Sequence, residues 1–567
     1  MQNHYNINQL TLSISTDWQP QDNDVAWQIN DLVESLRIDN LYVFGRPREY
    51  DLAAMLKLIV FAYARKTFSS RQIELMATEN LTARWLTQEQ MPSYRTICRF
   101  RISNDVESLV EQGLDKLVQY LRKNNMITEA TFIDGTKILA DANKYSFVWK
   151  KNTIRFDQMN REAIVQLLNE INNSMEAAKL SEDSKLSLEE IDEVVIRLET
   201  QLEDLNNQID TNPKLSPNPF KQQRRTIKSQ KRKLSVRRDK IIEHQIQMNT
   251  FGQRNSYSKT DTDATFMRVK EDPMNNGQLK PAYNIQVSSS GQFVTGFNIF
   301  QNPTDTRTLI PFLEYLEAHK RLEYYIVADA GYGSEPNYRF IEDNLADHID
   351  LIPYGTMLKE QSRKWQSDDK KIMNWTYFEK DDYYIDLNQV RFNFTRYTTK
   401  KDKYGVVRDF KLYTAEKVDE NQMPIEAALT PKGNVRTISV NPSWEYFKNK
   451  TKEKLSNKDI GIIYGQRKID VEPIFGRMKA YLHFNRFSVR GIEKVRKEMG
   501  LVITALNMVK LAGNMPVLKA NSIIKNSPHR NLTISMWTIN ISETYVTASS
   551  AREHRLRIDQ PLIYCCF

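Results

Sequence analysis

Hydrophobic residues recur at helical spacing through most of the first 125 positions. Leu52, Met55, Leu56, Ile59 and Val60 fall on one face of a 3.6-residue period, and Ile73, Met76 and Ala77 repeat it. Residues 25–125 are therefore expected to be helical. The segment MPSYRTICRFR (91–101) offers Ser93 as a helix cap and then sets Arg95, Arg99 and Arg101 among apolar residues. A short basic helix after a turn is what a helix-turn-helix needs to enter a major groove. A bundle helix with solvated arginines is the plainer alternative.

The period then changes to two. Residues 129–140, EATFIDGTKILA, read as a strand ending near Asp134. In PAYNIQVSSSGQFVTGFNIF (281–300), Tyr283, Ile285 and Val287 alternate, then Phe293, Thr295, Phe297 and Ile299, on either side of the turn-forming SSSG. TDTRTLIPFLEYLEAHK (304–320) is amphipathic at helical spacing. YYIVADAGY (324–332) is an apolar strand ending at Asp329, EPNYRFIEDNLA (335–346) a helix and HIDLIPY (348–354) a strand; a final helix carries Glu472. This order predicts an α/β fold, a mixed sheet with helices on both faces. It also matches the ribonuclease-H-like order, an analogy at the level of fold.

Two segments interrupt it. In the first, about 145–255, Ile191, Val195, Leu198, Leu202, Leu205 and Ile209 are spaced 4-3-4-3-4, and Ile227, Leu234, Ile241 and Met248 repeat every seven residues. Pro213, Pro217 and Pro219 break the helix between them. Two heptad arms joined by a proline turn predict an antiparallel coiled-coil hairpin. Residues 182–210 carry ten acidic and two basic side chains, and 221–240 carry ten basic and one acidic. The arms can pair with each other, or the basic arm can also touch DNA phosphates. The second interruption, about 360–440, alternates at Tyr383, Ile385 and Leu387, then Val390, Phe392 and Phe394, around Asn388-Gln389, with a further strand at 410–415. It predicts a small β-rich insertion. The expected organisation is a helical, helix-turn-helix-like DNA-binding domain at 1–125, a catalytic domain at 126–515 holding both insertions, and a C-terminal tail at 516–567.

Composition adds little to this. Lys and Arg number 80 against 71 Asp and Glu, a mild excess that favours a polyanionic partner. Cys98, Cys565 and Cys566 form neither a disulfide framework nor a zinc-type cluster, as expected in a reducing cytoplasm. The N-terminus MQNHYNINQLTLSIS lacks a signal-peptide layout, and no run of 18 apolar residues occurs, so no membrane span is expected.

The chemistry lies in the acids. Asp134 and Asp329 at strand ends, with Glu472 on a helix, bring three carboxylates to one sheet edge in a ribonuclease-H-like order. Hard divalent cations prefer oxygen ligands, and a pair of them can assist phosphodiester displacement. Asp263 is an accessory candidate; Asp141, Asp261 and Asp470 read as caps or surface groups.

FIDGTKILA, VADAGYGSEPNY and YGQRKIDVEPIFGRMKAYLHFNRFSVRG resemble the three blocks of a DDE transposase from a bacterial insertion sequence, and residues 47–101 resemble the N-terminal domain of one such family. The resemblance covers roughly residues 40–510. It implies a ribonuclease-H-like enzyme that binds the element's terminal inverted repeats, nicks the element ends and transfers the 3′-hydroxyl to target DNA. It implies Mg²⁺ or Mn²⁺, two ions per site, with Asp134, Asp329 and Glu472 as catalytic metal ligands, and a homo-oligomer, a dimer on DNA. Tyr464, Arg467, Glu472 and Lys479 resemble the Tyr-Arg-Glu-Lys signature of the larger group. The Arg-to-Glu gap is one residue longer than usual, so Lys468 competes with Arg467. Lys479, seven residues beyond Glu472, would share its helix face. Arg486 and Arg490, with Arg95 and Arg99, are candidate DNA contacts. A ribonuclease-H-like nuclease without strand transfer, or a transposase-derived DNA-binding protein without catalysis, are the alternatives.

Overall fold

The computed structural model describes residues 18–38, 49–174, 187–211, 219–269, 277–418, 423 and 425–525, the stretch 515–525 as backbone only. The connection holding Pro213 and Pro217, and the tail beyond 525 with Cys565 and Cys566, lie outside the described residues.

Helices come first: α1 (Val25–Glu34), α2 (Leu52–Ala64), α3 (Ser70–Glu79), α4 (Leu81–Thr87), α5 (Tyr94–Arg101) and α6 (Asn104–Lys123). Their starts follow the sequence. The Asp51 carboxylate accepts from Ala53 N, Asn80 Oδ1 from Ala83 N, and Ser93 Oγ from Thr96 N at 3.4 Å, each satisfying an orphan N–H of the first turn. α2 is buried on nearly every side and so shows little amphipathic contrast.

Strand β1 (Ala130–Leu139) follows. It does not end at Asp134, as the sequence suggested. Beyond Asp134 it keeps pairing antiparallel with β5, out to Leu139 opposite Ala282. A ribbon of β2 (Phe147–Trp149) and β3 (Ser256–Ser258) brackets the first insertion, which contains three helices: α7 (Lys150–Ser174), α8 (Leu188–Thr211) and α9 (Pro219–Phe251). α8 and α9 are the two anticipated arms. α7 is a third helix that the heptad reading passed over. Ile164, Leu167, Leu168 and Ile171 of α7 join Ile191, Val194, Leu198, Leu234 and Ile241 in one apolar cluster. The arms also pair by charge, Lys231 with Glu199 at 2.5 Å and Arg238 with Asp192 at 2.6 Å.

The sheet is completed by β4 (Thr265–Arg268), β5 (Leu279–Ser290), β6 (Phe293–Phe300), β7 (Tyr325–Ala328) and β8 (Ile349–Leu351), with α10 (Leu309–Ala318) and α11 (Glu335–Asn344) between strands. Its order is β4-β5-β1-β7-β8, with β6 also on β5; β1, β7 and β8 are mutually parallel and β5 is antiparallel to β1. This mixed sheet with helices around it is the ribonuclease-H-like architecture.

After two short helices, α12 (Met357–Glu360) and α13 (Arg363–Gln366), comes the β-rich insertion: β9 (Thr376–Phe378), β10 (Tyr383–Ile385), β11 (Arg391–Lys401), β12 (Val407–Ala415) and β13 (Thr437–Val440), an antiparallel meander. Asp386 closes the β10–β11 turn by accepting from Asn388 N and Val390 N, both at 2.9 Å. Trp375 packs on Phe392 in this small core, and Trp365 is half-buried beside Lys371.

The chain then runs through α14 (Pro442–Ser456), α15 (Lys458–Gly465), α16 (Arg467–Asp470) and α17 (Glu472–Gly476), a turn of π-helix at Arg477–Tyr481, and α18 (Ile492–Lys525). Glu472 is thus not on the final helix. α18 is, and it packs between the N-terminal helices and the β5–β6 hairpin. Leu58 and Phe61 of α2, Leu109 and Leu114 of α6, Ile285 and Phe297 of the hairpin and Val502 of α18 belong to one continuous core. Among the described residues no helix is long and apolar enough to cross a membrane.

Candidate active site

The parallel register of β1 and β7 aligns Ala130 with Tyr325, Phe132 with Val327 and Ile133 with Ala328. One step further along each strand lie Asp134 and Asp329. Side chains alternate across a strand, so both aspartates fall on the face of Phe132 and Val327. Each carboxylate is steadied by a nearby N–H: Gly135 N donates to Asp134 Oδ1 at 2.7 Å and Gly331 N to Asp329 Oδ1 at 2.8 Å.

That face is covered by the broken helix α15–α17. Val471 is buried there with Ala130, Phe132, Val327 and Leu351, and Tyr464 and Phe475 pack beside it. Tyr464, Arg467, Val471 and Phe475 are spaced 3-4-4, one helical face turned to the sheet. Arg467 Nη1 donates to Asp134 Oδ2 at 3.4 Å, whereas Lys468 is exposed. The extra residue in the Arg-to-Glu gap therefore leaves Arg467, not Lys468, at the aspartate. Burial raises the pKa of the half-buried Tyr464 hydroxyl. Glu472 follows Val471 directly and is exposed. Among the described residues no three His, Cys, Asp or Glu side chains are grouped closely enough to hold a metal ion. The structure brings two carboxylates together and sets Glu472 on the adjoining helix, outside that pair.

Lys479 lies in the π-helical turn, where Leu482 N donates to Arg477 O, five residues back. The wider turn changes the angle per residue, so the α-helical argument that seven residues return to one face does not hold here.

Behind the pair, on the opposite face of β1, is a polar network that the sequence reading missed. Gln286 of β5 stands opposite Gly135. Its Nε2 donates to Asn284 Oδ1 at 3.1 Å and to Asp305 Oδ1 at 3.1 Å, and Asn284 Nδ2 donates to Asp305 Oδ1 at 2.8 Å. The fully buried Tyr332 hydroxyl donates to Gln286 Oε1. Burial first, then the charges of Asp305, Asp134 and Asp329, push its pKa well up and keep it a donor. A Cβ at position 135 would meet Gln286 Nε2 at 2.5 Å and Asp305 Oδ1 at 3.0 Å, so a larger residue there would displace the buried Gln286 amide from its network. The one available signal was Tyr332, three residues after Asp329 in the DAGY block.

The remaining candidates are placed elsewhere. Arg486 and Arg490 are exposed and both pair with Asp141, at 3.1 and 2.9 Å. Arg95 and Arg99 are exposed on α5. Arg101 is not a surface arginine of that helix: it is buried against Glu498 and also donates to Ser488 Oγ at 2.9 Å. Asp263 Oδ2 accepts from Ile492 N at 2.9 Å, capping α18 from a distance. Thr265 pairs with Ala282, which faces Leu139, so Asp263 belongs to the far end of β1. Five residues of strand, about 16 Å, separate that end from Asp134. Asp470 accepts from Ser289 Oγ at 2.6 Å and Gln292 N at 3.0 Å, closing the β5–β6 turn.

A family model described as a transposase DDE domain matches residues 254–508, which include Asp329 and Glu472. A second, described as a transposase domain (DUF772), matches residues 14–103. Together they span more than half of the chain, and Asp134 lies between the two matched spans. Neither a curated protein nor a solved structure matches the chain. The chain belongs to the DDE transposases of insertion sequences.

Proposed function

We propose that this protein binds the terminal inverted repeats of its insertion sequence and catalyses metal-dependent DNA cleavage and strand transfer, with Asp134, Asp329 and Glu472 as the catalytic carboxylates. The observation that carries this reading is the register of β1 and β7, whose next step sets Asp134 beside Asp329 on the face covered by the Tyr464–Phe475 helix.

The donor set suits a hard divalent cation, since every candidate ligand is a carboxylate oxygen and no thiolate or imidazole competes among them. Asp134 and Asp329 would hold Mg²⁺ or Mn²⁺, with Glu472 turning in as the third ligand. When bound, the cation supplies charge neutralisation at the phosphodiester and a more acidic attacking water or hydroxyl. The chain's own residues do the rest. Arg467, paired with Asp134 at 3.4 Å, keeps its positive charge and would be able to pair with a phosphate oxygen once Asp134 served as a metal ligand. Tyr464 packs beside it and limits water on that side. The exposed arginines Arg95, Arg99, Arg486 and Arg490, and Lys479, supply backbone contacts, which position DNA without reading its sequence. Two copies of the chain acting on the two element ends complete the reaction, in the cytoplasm.

The test uses a duplex carrying the inverted repeat that flanks the gene. Asp134→Asn, Asp329→Asn and Glu472→Gln should each bind it like the wild type yet neither nick it nor join a pre-cleaved end to target DNA. Normal activity in any one variant would overturn the assignment. Nicking without joining by the wild type would reduce the reading to a nuclease.

A further inference from the structure

The three-residue turn Asp305–Arg307 touches both aspartate-bearing strands. Asp305 lies against Gly135, beside Asp134, and Thr306 Oγ1 donates to Gly331 O at 2.7 Å, two residues from Asp329. Arg307 is the third residue of this turn. Unlike Arg467, Arg486 and Arg490, it pairs with no carboxylate among the described residues. Its Nη2 donates to Gln253 Oε1 at 2.5 Å, at the foot of the helical insertion, and its guanidinium lies 3.8 Å from the ring centroid of Tyr404. Tyr404 is at the tip of the β11–β12 hairpin. There Asp402 accepts from Tyr404 N at 2.8 Å and Val406 N at 3.1 Å, and Gly405 takes φ +92°, so the tight turn holds the tyrosine forward. The hairpin is anchored lower down by Arg408, 3.5 Å from Glu335 at the start of α11.

A guanidinium has five N–H donors and does not lose its charge. Here Arg307 ends the turn whose first two residues touch Gly135 and Gly331, and its contacts among the described residues are a neutral amide and a tyrosine. Both partners come from insertions, one from each. A cation held this way gives up little on meeting a stronger anion, and a bidentate phosphate contact outweighs an exposed cation–π contact.

We propose that Arg307 is a phosphate-binding residue of this site, parked between Tyr404 and Gln253 until a DNA backbone reaches the Asp134–Asp329 edge. The proposal rests on the transposase reading above and adds a latch to it: Tyr404 competes with DNA for Arg307. Removing Arg307 and removing Tyr404 therefore act in opposite directions, which a merely structural role for either does not produce.

Equilibrium binding of the full chain to the terminal-repeat duplex, measured across a salt series, tests this. Arg307→Gln should weaken binding about tenfold and flatten the slope of log affinity against log salt by about 0.9, the loss of one phosphate contact. Arg307→Lys, which keeps the charge, should keep the slope. Tyr404→Ala should keep the slope and tighten binding about two- to fivefold, the fold-change of a lost exposed cation–π contact. Wild-type affinity and slope in a folded Arg307→Gln variant would overturn the proposal, as would Tyr404→Ala weakening binding. In both cases the catalytic reading stands if the wild type still cleaves. A wild type that does not bind the duplex would overturn both.

Discussion

The middle of β1 and its Leu139 end both carry acids and use them in opposite ways. At the Leu139 end, Asp261 accepts from the Tyr283 hydroxyl at 2.8 Å and from Gly491 N at 3.3 Å, and Asp263 caps α18. Asp141 there is tied to two arginines. Each carboxylate closes a piece of the fold. At mid-strand, Asp134 shares one face of the sheet with Asp329, which follows the parallel neighbour β7. There the N–H partners, Gly135 and Gly331, come from the residues just after each aspartate, and Arg467 lies 3.4 Å from Asp134. What separates the two sets is that the Leu139-end acids tie together elements distant in sequence.

Function-testing and stability-testing substitutions should therefore separate along the strand. The largest effect expected is on activity: Asp134→Asn or Asp329→Asn should lower cleavage by at least about a thousandfold, the several kcal/mol that a cation contributes at a phosphodiester, with the melting temperature held or raised. A melting temperature that falls together with activity would erase the distinction between the two regions. Next comes Asp470→Ala, which strands the Ser289 hydroxyl and Gln292 N–H of the β5–β6 turn. It should cost about 1–3 kcal/mol in denaturant unfolding. Asp263→Ala should cost less, about 0.5–2 kcal/mol, the range for a lost helix cap, and should leave cleavage per folded molecule unchanged.

The smallest effect is in pH. Burial, against the pull of Tyr283 and nearby N–H groups, raises the pKa of Asp261 above its ordinary value. A carboxyl whose folded pKa is raised adds stability below its unfolded pKa and loses it as pH rises through the folded value. Wild type should thus gain on Asp261→Asn in thermal melts as pH is lowered from 7 towards 4. A gap that widens in the variant's favour on acidification would reverse the assigned sign.

Local pattern carried much of this architecture. β5, β6, α10, β7, α11 and β8 are where the alternation and the 3.6 period put them, and the positions of Asp134 and Asp329 follow from those strands. The far end of β1 escaped because Gly135 and the polar Thr136 and Lys137 look like a strand terminus. Pairing with β5, where Gly135, Thr136 and Lys137 lie opposite Gln286, Ile285 and Asn284, keeps them extended. α7 is less legible although Ile164, Leu167, Leu168 and Ile171 sit at i, i+3, i+4 and i+7, because this stripe spans only two turns and its partners lie on α8 and α9. Asp305 and Gln286 could not be connected to the site by spacing, since only the strand order brings them to Gly135. Arg101 looks like its neighbours Arg95 and Arg99 in sequence. Its partner, Glu498, is 397 residues away.

That distance has a consequence for how the chain is made. The apolar faces of α2 and α6 are completed by α18, and Arg101 has no buried counter-charge until Glu498 has been added. At translation rates of about 5–20 residues per second, the helix that carries Arg95 and Arg99 waits roughly 20–80 s for the segment that closes its core. The surface that carries Arg95 and Arg99 is braced only once α18 is delivered, so a product truncated before α18 should leave α2 and α6 without their packing partner and Arg101 without Glu498.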